Sequence, residues 1–170
     1  MNVLDIDEPI RIVPYDARWP ELFEAERRRL ESRLGARIAG IAHFGSTAVE
    51  GMSAKPIIDI LIGTEHFPPD ASTREALVAL GYEDLGEAGV PGRIYLRMRG
   101  ENAFNIALAA HGGDLWNDNL ALRDYLRAHP DVALAYSEEK KRALAAGATL
   151  LAYSKNKADF VSTLVARSKR

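Results

Sequence analysis

One run of the sequence gathers the residues able to do chemistry: His43-Phe44-Gly45-Ser46-Thr47-Ala48-Val49-Glu50-Gly51-Met52-Ser53-Ala54-Lys55-Pro56-Ile57-Ile58-Asp59-Ile60. A strand that ends at Gly45-Ser46 and passes into a short helix leaves backbone N–H groups unpaired, and such groups favour an anionic phosphate. Gly45 allows close approach of the backbone, and the Ser46 and Thr47 hydroxyls add donors. Lys55 supplies mobile positive charge nearby. Asp59 then stands in an otherwise apolar strand, where an uncompensated carboxylate is costly. A metal ion or a cationic partner removes that cost. The bland alternative is a helix cap at Gly45-Ser46 and a buried Asp59 paired with an arginine.

These residues need elements to hold them. Pro56 to Ile62 is apolar on both faces except at Asp59, which predicts a central strand covered on both sides. Ile38 to Phe44 reads as a second strand, and Ile10, Ile12 and Val13 as a short entry strand. Trp19-Pro20 opens a helix whose Leu22, Phe23, Leu30 and Leu34 share a face, and Gly35 closes it. Ser72-Thr73-Arg74-Glu75 is a capping box opening a helix that runs to Leu80, and Gly81 ends it. Ile94, Leu96 and Met98 alternate with Arg93, Tyr95 and Arg97. Phe104, Ile106 and Leu108 repeat that alternation after the polar turn 99–102, which predicts a β-hairpin. From Leu115 the chain reads as helical. Pro130 breaks it, Asp131 caps the next helix, and Asn156 to Arg167 forms the last. The expectation is an α+β plan: a mixed sheet flanked by helices, with a C-terminal helical layer.

Composition bounds the possibilities. A chain of 170 residues suits a single domain over 1–170 with a core of its own. The net charge of −2 argues against a general polyanion binder, although a local basic face remains available. There is no cysteine, which excludes a disulfide scaffold, a thiolate metal site and a thiol nucleophile. Met1 to Glu8 has neither a basic start nor a long apolar run, so a cytoplasmic protein without a membrane partner is expected. Abundant Ala, Leu and Arg suit a GC-rich bacterial genome.

A Gly-Ser turn, a short helix and a strand carrying an acid resembles the nucleotidyltransferase superfamily of the polymerase-β type. The longer string resembles the GrpB family. So do Val13-Pro14-Tyr15-Asp16, Trp19-Pro20, Gly86-Glu87, Pro91-Gly92-Arg93, the run from Leu122 to Pro130, and Tyr153 with Lys157. The resemblance implies a nucleotidyltransferase-like fold over nearly the whole chain. It also implies a nucleoside triphosphate or another small anionic metabolite as ligand, and Mg²⁺ as cofactor. Active superfamily members carry Asp-x-Asp on one strand, which puts two carboxylates on one face for two metal ions, and a third acid on a neighbouring strand. Here Asp59 is followed two residues on by Leu61, and the hairpin strand offers Asn105 or Ala107. That leaves one Mg²⁺, held by Asp59 and by the nucleotide's own phosphates.

The expected roles follow. Gly45, Ser46 and Thr47 hold phosphate, Lys55 neutralises developing charge, and Asp59 binds metal. His43 and Glu87 are candidate acids or bases. Arg93 and Arg97 share a strand face, where they can clamp phosphate or carboxylate; Arg93 can instead pair with Asp59. Asn105 is a candidate ligand contact or a hydrogen-bonding linker. Arg123 and Asp124 read as structural, and Tyr153 with Lys157 as packing of the last helix. Lys155, Lys157, Arg167, Lys169 and Arg170 make a basic C-terminus, yet the hairpin has no aromatic stacking motif, so nucleic acid is not the expected partner. Two other readings are the same fold recruited to a non-nucleotidyl reaction on a polar metabolite, and a catalytically degenerate nucleotide-binding or interaction module.

Overall fold

Alternation along Ile58–Thr64 decides the architecture. The computed structural model describes residues 7–170, so most of the chain-start reading (residues 1–6) lies outside the described residues. The elements are α1 (Trp19–Leu34), β1 (Gly40–Phe44), β2 (Ile58–Thr64), α2 (Ala71–Ala79), β3 (Glu83–Asp84), β4 (Ile94–Met98), β5 (Phe104–Ala110), α3 (Asp114–Ala128), α4 (Pro130–Ala146) and α5 (Leu150–Ser168). The strands form one mixed sheet in the order β1-β2-β5-β4-β3. β2 and β5 are parallel and the other pairs antiparallel.

One face of the sheet is dry. Ile58, Ile60 and Ile62 of β2 join Leu96, Ile106 and Leu108 and pack on Trp19, Phe23, Leu30 and Leu34 of α1 and Leu77 of α2. Each such side chain contributes about 1.5–3 kcal/mol relative to exposure. The alternate residues of β2 point to the other face. Leu61 there meets Ala107 and Trp116, next to Leu115 and Leu120 of α3. The last helices close over that face, where Leu126, Tyr136 and Leu164 pack with Val49 and Met52. The α+β class, the mixed sheet, the hairpin and the helical C-terminal layer are as the sequence predicts.

Four local expectations are corrected. The entry strand is absent: Pro9 and Val13 make only isolated bridges, to Thr149 and Ala54. Pro9 and Pro14 bracket the segment and lack the N–H groups a ladder needs. α2 starts at Ala71 with Asp70 at its N-cap position, so the Ser72–Glu75 box lies inside the helix. Pro130 is the first residue of α4, where its missing N–H costs nothing; Asp131 sits in the first turn and His129 takes the cap position. α5 starts at Leu150, six residues before the expected Asn156, with the Thr149 side chain accepting from Ala152 N–H at 3.5 Å.

Candidate functional site

The register of the sheet lines up Phe44, Asp59, Asn105, Arg97 and Glu83 in one row across the face that α3, α4 and α5 cover. Asp59 is half-buried. Its Oδ1 accepts from Asn105 Nδ2 at 3.0 Å. Asn105 Oδ1 accepts in turn from Tyr95 OH at 2.9 Å and from Arg99 at 3.0 Å. Arg99 is paired with Glu8 at 2.6 Å. Asn105 is therefore a linker that fixes Asp59 from behind. Its oxygen is committed elsewhere, and it presents Asp59 with an N–H where an acid would present a second carboxylate.

Beside Asp59 the chain turns sharply. Gly45 has φ 70° and ψ −172°, a conformation open essentially to glycine alone. A Cβ there would stand 2.7 Å from Asp59 Oδ2. The expected short helix is a single 3₁₀ turn, Ser46–Ala48. A turn of that length has no helix dipole to offer a phosphate, which corrects the helix-terminus argument. Its own hydrogen bonds begin with Ala48 N–H to Gly45 O at 3.1 Å, so the Ser46 and Thr47 N–H groups lie outside them. Two arginines of α3 hold the run by its carbonyls: Arg123 donates to His43 O at 3.0 Å and Arg127 to Ala48 O at 2.8 Å.

Gly45, Ser46, Thr47, Lys55 and Asp59 line one cavity of about 230 Å³. The opposite wall comes from the C-terminal helices: Arg123, Tyr136, Lys140, Tyr153 and Lys157. Lys140 is buried, donates to the Ser53 carbonyl and stands 4.9 Å from the Tyr136 ring centre. Lys157 Nζ lies 4.4 Å from the centre of the Tyr153 ring, and Lys55 Nζ lies 5.7 Å from the same ring. Burial, then Lys157 and Lys55, push the Lys140 ammonium down to about 7, with Asp59 opposing. Burial and then Lys55 push Lys157 down to about 7 as well, again with Asp59 opposing. Burial raises both tyrosines above the usual phenol range. Lys55 and Ile57 also line a neighbouring groove of about 590 Å³ that reaches Trp19, Arg99 and Asn102.

The remaining sequence candidates lie elsewhere. His43 points to the dry face, stacked on Phe23 at 4.8 Å, with Nε2 2.9 Å from Thr47 Oγ1. Burial, then Arg127 and Arg123, lower its pKa to about 4. Its ring is one side chain behind the cavity, where it positions Thr47. Glu87 is on an exposed loop, and its backbone oxygen accepts from Arg93 at 3.2 Å. Arg93 stands over the Tyr95 ring at 5.1 Å, outside the cavity lining and without an ion pair to Asp59. Arg97 shares the row of Asp59 but pairs with Glu83 at 2.8 Å, two strands away. Sequence reasoning missed Lys140 and Tyr136, and read Tyr153 and Lys157 as packing. The available signal was a repeat: Tyr136-Ser137-Glu138-Glu139-Lys140 and Tyr153-Ser154-Lys155-Asn156-Lys157 share Tyr-Ser-x-x-Lys.

The donor set does not make a magnesium cage. No group of three or more His, Asp or Glu side chains able to hold a metal occurs among the described residues. Asp59 is the cavity's one carboxylate, and three ammonium groups share its walls.

A sheet of this order, a glycine turn against a strand carboxylate and a helical wall of lysines define a small α+β protein with one mixed-charge cavity. The model of the GrpB protein family matches residues 9–167, and the chain belongs to that family. It is 34% identical over 163 residues to the UPF0157 protein YqkA of Bacillus subtilis; the match covers 95% of this chain and 48% of that protein, so the chain spans about half the length of this relative. The crystal structure of the conserved protein GrpB from Enterococcus faecalis superposes with a TM-score of 0.83 at 30% identity, covering 93% of this chain and 96% of that one. A remoter likeness, TM-score 0.45 at 21% identity over 85% of this chain and 46% of the other, is to a structure of Cid1 in complex with the UTP analog UMPNPP. Among the described residues no helix is long and apolar enough to cross a membrane.

Proposed function

We propose that the cavity binds the polyphosphate of a nucleoside triphosphate, and that the protein transfers the nucleotidyl group to an acceptor hydroxyl. The observation that carries this reading is the convergence of Gly45–Thr47, Lys55, Lys140 and Lys157 on one cavity around Asp59. The lysines neutralise phosphate oxygens, and the open N–H groups of the Gly45 turn add donors. The acceptor oxygen bonds to the α-phosphorus, the bond from that phosphorus to the bridging oxygen breaks, and pyrophosphate leaves. The acceptor's proton passes to Asp59, the cavity's one carboxylate. Because the donor set does not hold magnesium by itself, no step is assigned to a metal.

A cavity of about 230 Å³ is smaller than the roughly 300–1,000 Å³ of sites that enclose a drug-sized ligand. It takes the charged end of a nucleotide and leaves the nucleoside outside. The same size favours a second reading, a module that binds a small phosphorylated metabolite and turns nothing over. Thermal-shift titration with the four nucleoside triphosphates tests the first. Ligand at about 100 times its dissociation constant stabilises the fold by roughly 2.7 kcal/mol. That corresponds to a rise of about 5–10 °C for a chain of this size. Asp59→Asn keeps this shift and abolishes pyrophosphate release. Absence of a shift with all four nucleotides overturns the reading, and a shift only with small phosphorylated metabolites selects the second.

A further inference from the structure

The two Tyr-Ser-x-x-Lys segments do the same thing on different helices. Spacing of four places ring and ammonium on one side of a helix. Lys140 and Lys157 each lie over the tyrosine of their own turn, at 4.9 and 4.4 Å, and Lys55 reaches the Tyr153 ring at 5.7 Å. An aromatic face steadies a cation without cancelling its charge. None of the three lysines has a carboxylate ion pair among the described residues, whereas Arg123 on the same wall pairs with Asp124 at 2.8 Å. Three lysine side chains and one carboxylate thus share a half-enclosed space, where like charges repel more strongly than in water. A divalent cation entering that space meets one anionic oxygen ligand and three repelling ammonium groups. Mg²⁺ asks for the opposite, a shell of oxygen ligands.

We infer that the cavity holds a polyphosphate without a divalent cation, with Lys55, Lys140 and Lys157 supplying the positive charge that a metal would otherwise bring. This rests on the polyphosphate reading above and goes further by fixing the form of the ligand as the metal-free anion. Excess Mg²⁺ then competes with the protein for the ligand.

The test is calorimetric titration of the full chain with inorganic tripolyphosphate, once in EDTA and once in excess Mg²⁺. Binding is expected in EDTA and several-fold weaker in Mg²⁺. Lys157→Gln is expected to weaken it roughly tenfold to a hundredfold, the size of one or two charge-assisted hydrogen bonds. Lys157→Arg retains most of it. Lys55→Gln, at a partly exposed position, gives a second reading of the charge should Lys157→Gln fail to fold. Binding that appears only with Mg²⁺ overturns the inference and leaves the polyphosphate reading standing. Binding in EDTA that ignores the lysine substitutions also overturns the inference. No binding of tripolyphosphate or of any nucleotide, in either buffer, overturns both.

Discussion

The two faces of the sheet follow opposite rules. On the face under α1 and α2, polar groups are matched: Glu26 pairs with Arg29 at 2.8 Å and accepts from Tyr82 OH at 2.8 Å, and Arg74 pairs with Asp84 at 2.6 Å. The rest is aliphatic packing. On the face under α3 to α5, three lysines and one aspartate remain without ion pairs among the described residues, although they lie within one cavity. A buried charge left unmatched is a cost to folding. One face supplies stability; the other gathers charge that no carboxylate ion pair among the described residues matches.

The largest expected effect separates the faces. Ile106→Ala empties part of the dry core and should cost about 2–5 kcal/mol in denaturant unfolding. Tripolyphosphate affinity of the folded fraction should stay the same. A parallel loss of affinity would show that the faces are coupled.

Lys157→Met reverses the pattern. The folded pKa of Lys157, about 7, is far below its ordinary value of 10.5. The unfolded chain therefore binds the extra proton between those values, and the stability tied to neutral Lys157 is present above 10.5 and lost as pH falls through 7. Removing the ammonium should raise Tm at pH 7 while weakening tripolyphosphate binding roughly tenfold to a hundredfold. Lys140, also lowered to about 7, obeys the same sign. Sulfate, whose charge is constant in this range, should accordingly bind more weakly at pH 8.5 than at pH 6. Sulfate affinity independent of pH would remove the lysines from the site.

Gly45→Ala is expected to cost on the order of 1–3 kcal/mol, because φ 70° and ψ −172° are strained for a side chain. It should also weaken ligand binding, since the new methyl pushes on Asp59. Unchanged melting would mean that the turn can relax. His43 contributes at acid pH. Its folded pKa of about 4 lies below the ordinary 6.5, so the stability it gives is complete above 6.5 and lost as pH falls through 4. His43→Gln should flatten the melting temperature over that window. The smallest effect is expected for Glu87→Gln on the exposed loop, which should leave tripolyphosphate affinity unchanged by calorimetry.

Much of this contrast was legible in the residues. The alternation of β2 announced a strand covered on both sides with Asp59 as its exception, and the run from Gly45 to Asp59 does converge on one cavity. The far wall was harder to read. Lysine on a helix is ordinarily a solvated residue, so nothing local marked Lys140, and Lys157 stood out only beside Tyr153 in the family resemblance. The recurrence of Tyr-Ser-x-x-Lys in two helices was the signal that joins them. Tyr153 and Lys157 were read together as packing of the last helix, and what that reading lacked was the cavity they face. His43 misled for a different reason. It neighbours Phe44, which lines the cavity, and in a strand the adjacent side chain points the other way. The linker reading of Asn105 describes its hydrogen bonds, but the register with Asp59 depends on a parallel pairing that no local pattern reveals.

That pairing also bears on how the molecule assembles. Asp59 and Asn105 are 46 residues apart, and the chain between them carries α2, β3 and β4. Closing a loop of that length carries an entropy cost that neighbouring contacts cannot offset early, and such pairings form slowly. The lysines of α4 and α5 arrive from still farther along the chain. The cavity is thus expected among the last features to form during folding, since it does not exist until the sheet has closed and the last helices have docked.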